Sequence, residues 1–196
     1  MWWAALLNSL LGTLSSGVPP ITGSYESIAS ATGTGSSGTI TFNSIPATYA
    51  SLQIRGITRN TNAATTSNSL RLNFNGDTSS SNYAFHTLNG DGSNVNAAGT
   101  SGFSYIQAVG VVPQNSATAN LVGAVIIDIH DYASTTKNKT VRTFGGSDSN
   151  ASDTTYKVNL ASGLWIDTSA INSISIVSAS ASWGTQTTFA LYGIKG

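Results

Sequence analysis

SLQIRGI (residues 51–57) and, a little further on, LRLNFNG (70–76) decide the fold. In the first, Leu52, Ile54 and Gly56 share one face of an extended chain while Gln53 and Arg55 share the other. In the second, Leu70, Leu72 and Phe74 alternate with Arg71 and Asn73. A period of two is the signature of a strand with one buried and one wet face, and ISIVSAS (174–180) repeats it with Ile174, Ile176 and Ser178.

From residue 24 onward, runs rich in Ile, Val, Thr, Tyr and Phe alternate with turn clusters. The pattern predicts strands over 25–31, 39–42, 51–57, 70–75, 83–88, 103–111, 121–129, 140–144, 156–160, 173–179 and 187–194. LVGAVIID (121–128) is almost continuously apolar and reads as a central strand covered on both faces. Asn75-Gly76-Asp77 and Asn89-Gly90-Asp91-Gly92 carry the chemistry of hairpin turns, because Asn and Gly accept positive φ cheaply. Residues 58–69 and 145–154 are polar and unpatterned and read as exposed loops. No helical period follows residue 20. The expected architecture is all-β, an antiparallel β-sandwich of jelly-roll type, preceded by a short apolar helix.

Composition narrows function mainly by exclusion. Of 196 residues only 8% are charged, Lys plus Arg balancing Asp plus Glu at eight each, against the roughly 25% of an ordinary domain. Hydroxyls and amides must solvate the surface. Without a basic patch, neither nucleic acid nor an anionic membrane is an expected partner. Without cysteine, disulfides, thiolate catalysis and Cys-ligated metals are excluded.

Few residues suggest chemistry. Gly33-Thr34-Gly35-Ser36-Ser37-Gly38 spells G-x-G-x-x-G, but the dinucleotide fingerprint must open a helix, and the strand-like TITF follows here. A hairpin loop is expected instead. Asp128 and His130 are two apart on one strand face, a spacing that could orient an imidazole or begin a metal site. With only two histidines in the chain, a polar strand end with Asp131 opening a turn is the preferred reading. Asp77 and Asp91 sit in oxygen-rich loops that could take calcium, yet lack the EF-hand spacing and read as Asx turns. No G-x-S-x-G elbow seats a serine nucleophile. No enzymatic activity and no cofactor are expected. Tyr83, Tyr132 and Trp183, with Tyr105 and Trp165, are candidates for stacking on sugar rings, set against the commoner role of such rings in cores.

The opening MWWAALLNSLLGTLSSGVPP (1–20) differs from everything behind it. Trp3, Leu7, Leu10 and Leu14 follow a 4-3-4 helical seam, and Trp2, Leu6 and Leu11 widen it over most of the circumference. Such a helix must be buried nearly all round: on its own sandwich, against copies of itself, or in another protein. Its apolar run of about a dozen residues is too short for a bilayer span of roughly 20. The division expected is an attachment helix over 1–17, a hinge over 18–23 stiffened by Pro19 and Pro20, and a β-sandwich head over 24–196.

The segments YESIA (25–29), ITFNSIPATYASLQIRG (40–56), LRLNFNGDTSSSNYAFH (70–86), DIHDYASTTKNKTVRTFGG (128–146), GLWIDTSAINSI (163–174) and FALYGIKG (189–196) together resemble a β-rich domain of tailed-bacteriophage virion structural proteins. That resemblance implies a particle-exposed module whose variable N-terminal segment selects its mounting point. It implies a homotrimeric fibre made in the host bacterial cytoplasm and displayed on the virion surface. Residues 1–17 would be seated in another virion protein and the head would meet a host surface glycan. A capsid-decorating or head-fibre protein is the neighbouring expectation, and a carbohydrate-binding module the one from another class.

Overall fold

A computed structural model describes residues 23–64, 67–148 and 157–196, apart from the side chains of 109 and 110. The expected helix over 1–17, with Trp2, Trp3, Leu6, Leu7, Leu10, Leu11 and Leu14, and the hinge prolines Pro19 and Pro20 lie outside the described residues. Among the described residues there is no helix. The strands are β1 (Tyr25–Thr32), β2 (Thr39–Phe42), β3 (Ser51–Thr58), β4 (Ser67–Phe74), β5 (Tyr83–Gly90), β6 (Val95–Phe103), β7 (Ile106–Pro113), β8 (Gly123–His130), β9 (Lys139–Ser147), β10 (Lys157–Trp165), β11 (Ile174–Ser178) and β12 (Thr188–Ile194).

All pairings are antiparallel. They build an eight-stranded sheet in the order β1-β12-β3-β8-β9-β10-β5-β6 and a four-stranded sheet in the order β2-β11-β4-β7. The two inner faces meet in one core. Leu52, Ile54, Ile127, Ile129 and Val141 come from the larger sheet, and Leu70, Leu72, Phe74, Ile106, Ile174 and Ile176 from the smaller. The alternations that predicted β3, β4 and β11 are the ones that fill it, since Leu52, Ile54, Leu70, Leu72, Phe74, Ile174 and Ile176 are fully buried.

Several expectations need correction. The predicted strand over 103–111 is broken at Ser104-Tyr105: only its first residue, Phe103, belongs to β6, which the sequence pattern did not reveal, and 106–111 fall in β7. VNAAGTSGF consists mostly of small and polar residues because β6 is a sheet edge, exposed on both faces. The turn at Asn75-Gly76 has the expected positive φ at both residues, 51° and 69°. It joins no hairpin, however, since β4 and β5 belong to different sheets. The glycine-rich loop at 33–38 likewise carries the chain from one sheet to the other, and it leads into β2 rather than a helix. Gly33 is required there by proximity, because a Cβ would stand 2.3 Å from the Gly184 carbonyl oxygen.

The stretch 58–69 is not an exposed loop at either end, and 145–147 extends β9. Thr58, Arg59 and Asn60 are buried. Arg59 donates through Nη1 to the carbonyls of Leu121 (2.6 Å) and Thr118 (3.1 Å). Asn60 Nδ2 reaches Ser178 Oγ (3.1 Å) and the Ser180 carbonyl (2.9 Å). Thr187 Oγ1 accepts from Arg59 N and donates to Arg59 O, tying the end of β3 to the start of β12. Polar residues are buried here because every donor has a backbone or hydroxyl partner.

Candidate functional site

The distinctive surface is the outer face of the eight-stranded sheet. Pairing registers align its outward residues in rows across the strands. One row runs Ala190–Arg55–Ile126–Phe144–Leu160–Leu88–Ala97. The next, toward one end of the sheet, runs Thr188–Ile57–Ala124–Gly146–Val158–Gly90–Val95. Between 42% and 55% of Ile57, Ile126, Phe144, Val158, Leu160 and Leu88 remains exposed. Among the described residues LVGAVIID has a cover on one face only: Gly123, Val125 and Ile127 are buried, while Ala124 and Ile126 face outward. Near-continuous apolarity in β8 marks a sticky outer surface rather than a second covering layer.

A groove of about 600 Å³ runs between these rows. Gly145, Gly146, Ala124 and Ala190 leave it open, and Ile57, Ile126, Phe144 and Val158 wall it. The outward Gly146 is held to glycine, since a Cβ there would lie 2.6 Å from the Lys157 carbonyl oxygen. Arg55 is the one charged residue in the lining. Its guanidinium lies 5.0 Å from the Tyr25 ring centre and 5.3 Å from that of Tyr192, while its Nε donates to Gln53 Oε1 at 2.7 Å.

Beyond Arg55 a polar row begins: Tyr192–Gln53–Asp128–Arg142–Ser162–His86–Gly99. Gln53 Nε2 donates to Asp128 Oδ1 at 2.8 Å. Asp128 thus serves its cross-strand neighbour rather than His130, whose Nε2 is buried without a hydrogen-bond partner. Asp131 takes positive φ (55°), ion-pairs with Lys137 at 3.0 Å and opens a turn, as its position at the strand end suggested.

The three residues predicted to stack on sugars are corrected by burial. Tyr83, Tyr132 and Trp183 are fully enclosed. Tyr132 Oη donates to the Pro46 carbonyl (2.6 Å) and accepts from Tyr49 N (3.0 Å). Trp183 Nε1 donates to the Ile176 carbonyl (3.1 Å). Tyr83 Oη spans Phe74 N and the Asp77 carbonyl, and burial pushes its phenol upward. Among the described residues the aromatic side chains left most exposed are Phe144 and Tyr25, at 55% and 47%. The signal for Phe144 was present, because period-two spacing in VRTFGG puts it on the side of Arg142, opposite Val141.

Both Asn-Gly-Asp carboxylates are engaged by protein donors. Asp77 accepts from Trp165 Nε1 (2.8 Å), Asn82 Nδ2 (2.9 Å) and Ser79 N (2.8 Å). Although partial burial pushes it upward, these donors hold its pKa down at about 2. Asp91 Oδ1 accepts from Ser93 N and Asn94 N, which keeps its carboxyl below the usual range. Both are Asx turns, as their sequence suggested. Among the described residues no cluster of three His, Cys, Asp or Glu is placed to hold a metal. No family model matches the chain, and neither the curated proteins nor the solved structures provide a match.

Proposed function

We propose that this chain is a non-enzymatic structural protein of a tailed-phage virion, displayed on the particle surface as a fibre and attached through residues 1–17. The observation carrying the reading is how the sandwich is wound. With the pairs β5-β6 and β9-β10 set aside, the remaining orders are β1-β12-β3-β8 and β2-β11-β4-β7. Strands then alternate between sheets except at β4 and β7, which stay in one. That is the winding of an eight-stranded jelly roll, an architecture of viral capsid and lectin domains. The two extra pairs widen one sheet and create its apolar outer face. Fold alone does not assign function; the segment resemblance and the charge-poor surface add the virion context. A homotrimer and a host surface glycan as the contact complete the proposal.

Localisation of the protein in assembled particles tests it. A truncated chain beginning at Gly23 should fail to join particles that the full chain joins. Incorporation without residues 1–22 would refute the attachment role. Loss of capsid stability without loss of host adsorption would move the assignment to decoration. The Tyr25–Arg55–Tyr192 cluster beside Gln53 and Asp128 favours one second reading, a carbohydrate-binding module: rings for sugar faces, with an amide and a carboxylate for hydroxyls. Glycan binding by a chain that joins no particle would support that reading.

A further inference from the structure

Two apolar surfaces in this chain need a cover, and each fits the other. We propose that in the free protein residues 1–22 lie on the outer face of the eight-stranded sheet of the same chain, with their apolar side chains in the groove between Ile57, Ile126, Phe144 and Val158. The uncovered rows form a continuous apolar patch spanning β3 to β10 and β5. A contiguous exposed apolar patch of this kind marks a place where something binds.

Charge, connection and reach identify the occupant. Residues 1–22 contain no Asp, Glu, Lys or Arg, and they carry two of the four tryptophans and five of the chain's leucines. With Arg55 as its one charge, held between Tyr25 and Tyr192, the groove gives a charged partner little to pair with and suits this segment. The described chain starts at Gly23 and enters β1 at Tyr25, whose ring rests on Arg55, the groove's charged margin. Residues 18–24, extended, reach about 24 Å; counted in strand residues and strand spacings, the near wall of the groove at Ile126 lies about 20 Å from Tyr25 and its far wall at Val158 about 30 Å. Read as a helix from its sequence, the stretch 2–14 spans about 20 Å, the width of the four strand spacings from β3 to β5 at about 4.8 Å each.

Rival covers fit less well. The β9–β10 connection, residues 149–156, is SNASDTTY, polar apart from one Ala and one Tyr. Two sheets pairing face to face would leave residues 1–22 uncovered. The inference goes beyond the virion reading and does not depend on it: it concerns the free chain, from which an attachment segment would be withdrawn on mounting.

The absence of cysteine allows a direct test. Leu7→Cys in the full chain gives one thiol, whose rate of reaction with a water-soluble disulfide reagent is read alongside the mass in solution. We expect the free chain, before it assembles into the homotrimer of the particle, to be a monomer in which that thiol reacts at least tenfold more slowly than in a denatured control. Adding Phe144→Asp and Val158→Asp, both at outward positions, should restore fast reaction while cooperative unfolding persists. Fast reaction in the monomeric parent overturns the proposal. So does protection that ignores the groove substitutions, or protection found only in an oligomer. Particle incorporation is not read in this experiment, so its outcome is separate from that of the virion assignment.

Discussion

Trp165 donates its indole N–H to Asp77 Oδ2 at 2.8 Å, joining the end of β10 to the loop that carries the chain between the two sheets. Asn82 and Ser79 bind the same carboxylate. The Trp165 ring stacks on Tyr83 at 6.4 Å and packs against Phe74 at 5.6 Å. The ion therefore organises an aromatic cluster at one end of the core, and it does so only while it is charged.

A pH dependence follows. The folded pKa of Asp77, about 2, lies below its ordinary 3.8, so its contribution is fully present above the unfolded value and is lost as pH falls through the folded one. Allowing for partial exposure, about 1–2 kcal/mol should disappear between about pH 4.5 and pH 2. Urea unfolding across that range should show the loss in the parent, and Asp77→Asn should flatten this component while lowering stability at pH 7. Equal acid sensitivity in parent and variant would assign it to other carboxylates.

The buried Arg59 supports a second expectation. Replacing it by Met keeps much of the volume but leaves the carbonyls of Leu121 and Thr118 without their donor. Both bonds are part-buried, so their loss costs about the net value of a charged hydrogen bond rather than that of an orphaned buried acceptor. The variant should lose about 2 kcal/mol, seen as a lower urea midpoint at unchanged slope. Arg59→Lys should recover part of it.

Backbone proximity at Gly123 gives a third. A Cβ there would lie 2.2 Å from the Val111 carbonyl oxygen and 2.8 Å from Thr58 Oγ1, so β7 and β8 would have to separate. Gly123→Ala should cost about 2–3 kcal/mol. Gly90→Ala, whose Cβ would meet only Val158 Cγ1 at 3.4 Å, should stay within about 0.5 kcal/mol of the parent. Thermal unfolding of the pair measures the contrast.

The core was legible because it obeys one rule: Leu52, Ile54, Leu72, Phe74, Ile174 and Ile176 occur at alternate positions and all point inward. The same rule could not reveal where β5 goes after Asn75-Gly76, since turn chemistry fixes local φ but not the sheet that receives the next strand. β6 escaped because an edge exposed on both faces needs no apolar alternation. Arg59 and Asn60 fall in a stretch that read as an exposed loop, and Lys139 lies just outside a predicted strand, yet all three are buried. Lys139 Nζ donates to the carbonyls of Lys137, Ser134 and Thr168 at 2.6–3.0 Å. Their partners come from residues distant in sequence or from backbone, which no periodicity records. The apolar groove lay half in view: continuous apolarity in β8 identified a strand, but it was read as cover on both faces, whereas Ala124 and Ile126 face outward.

Burial and exposure of tyrosines finally separate stability from recognition. Tyr132→Phe removes the hydroxyl that joins the Pro46 carbonyl to Tyr49 N. It should cost about 2 kcal/mol and leave any glycan binding unchanged, because the ring is fully enclosed. Tyr25→Ala removes a ring that is nearly half exposed and one side of the Arg55 sandwich. Cation–π contact at such a site contributes about 0.5–1 kcal/mol, so stability should fall by no more than that. If the outer face binds sugars, Tyr25→Ala is the change that should weaken a glycan-array signal, by tenfold or more. A signal that survives Tyr25→Ala but follows Tyr132→Phe would put recognition at a part of the head other than this face.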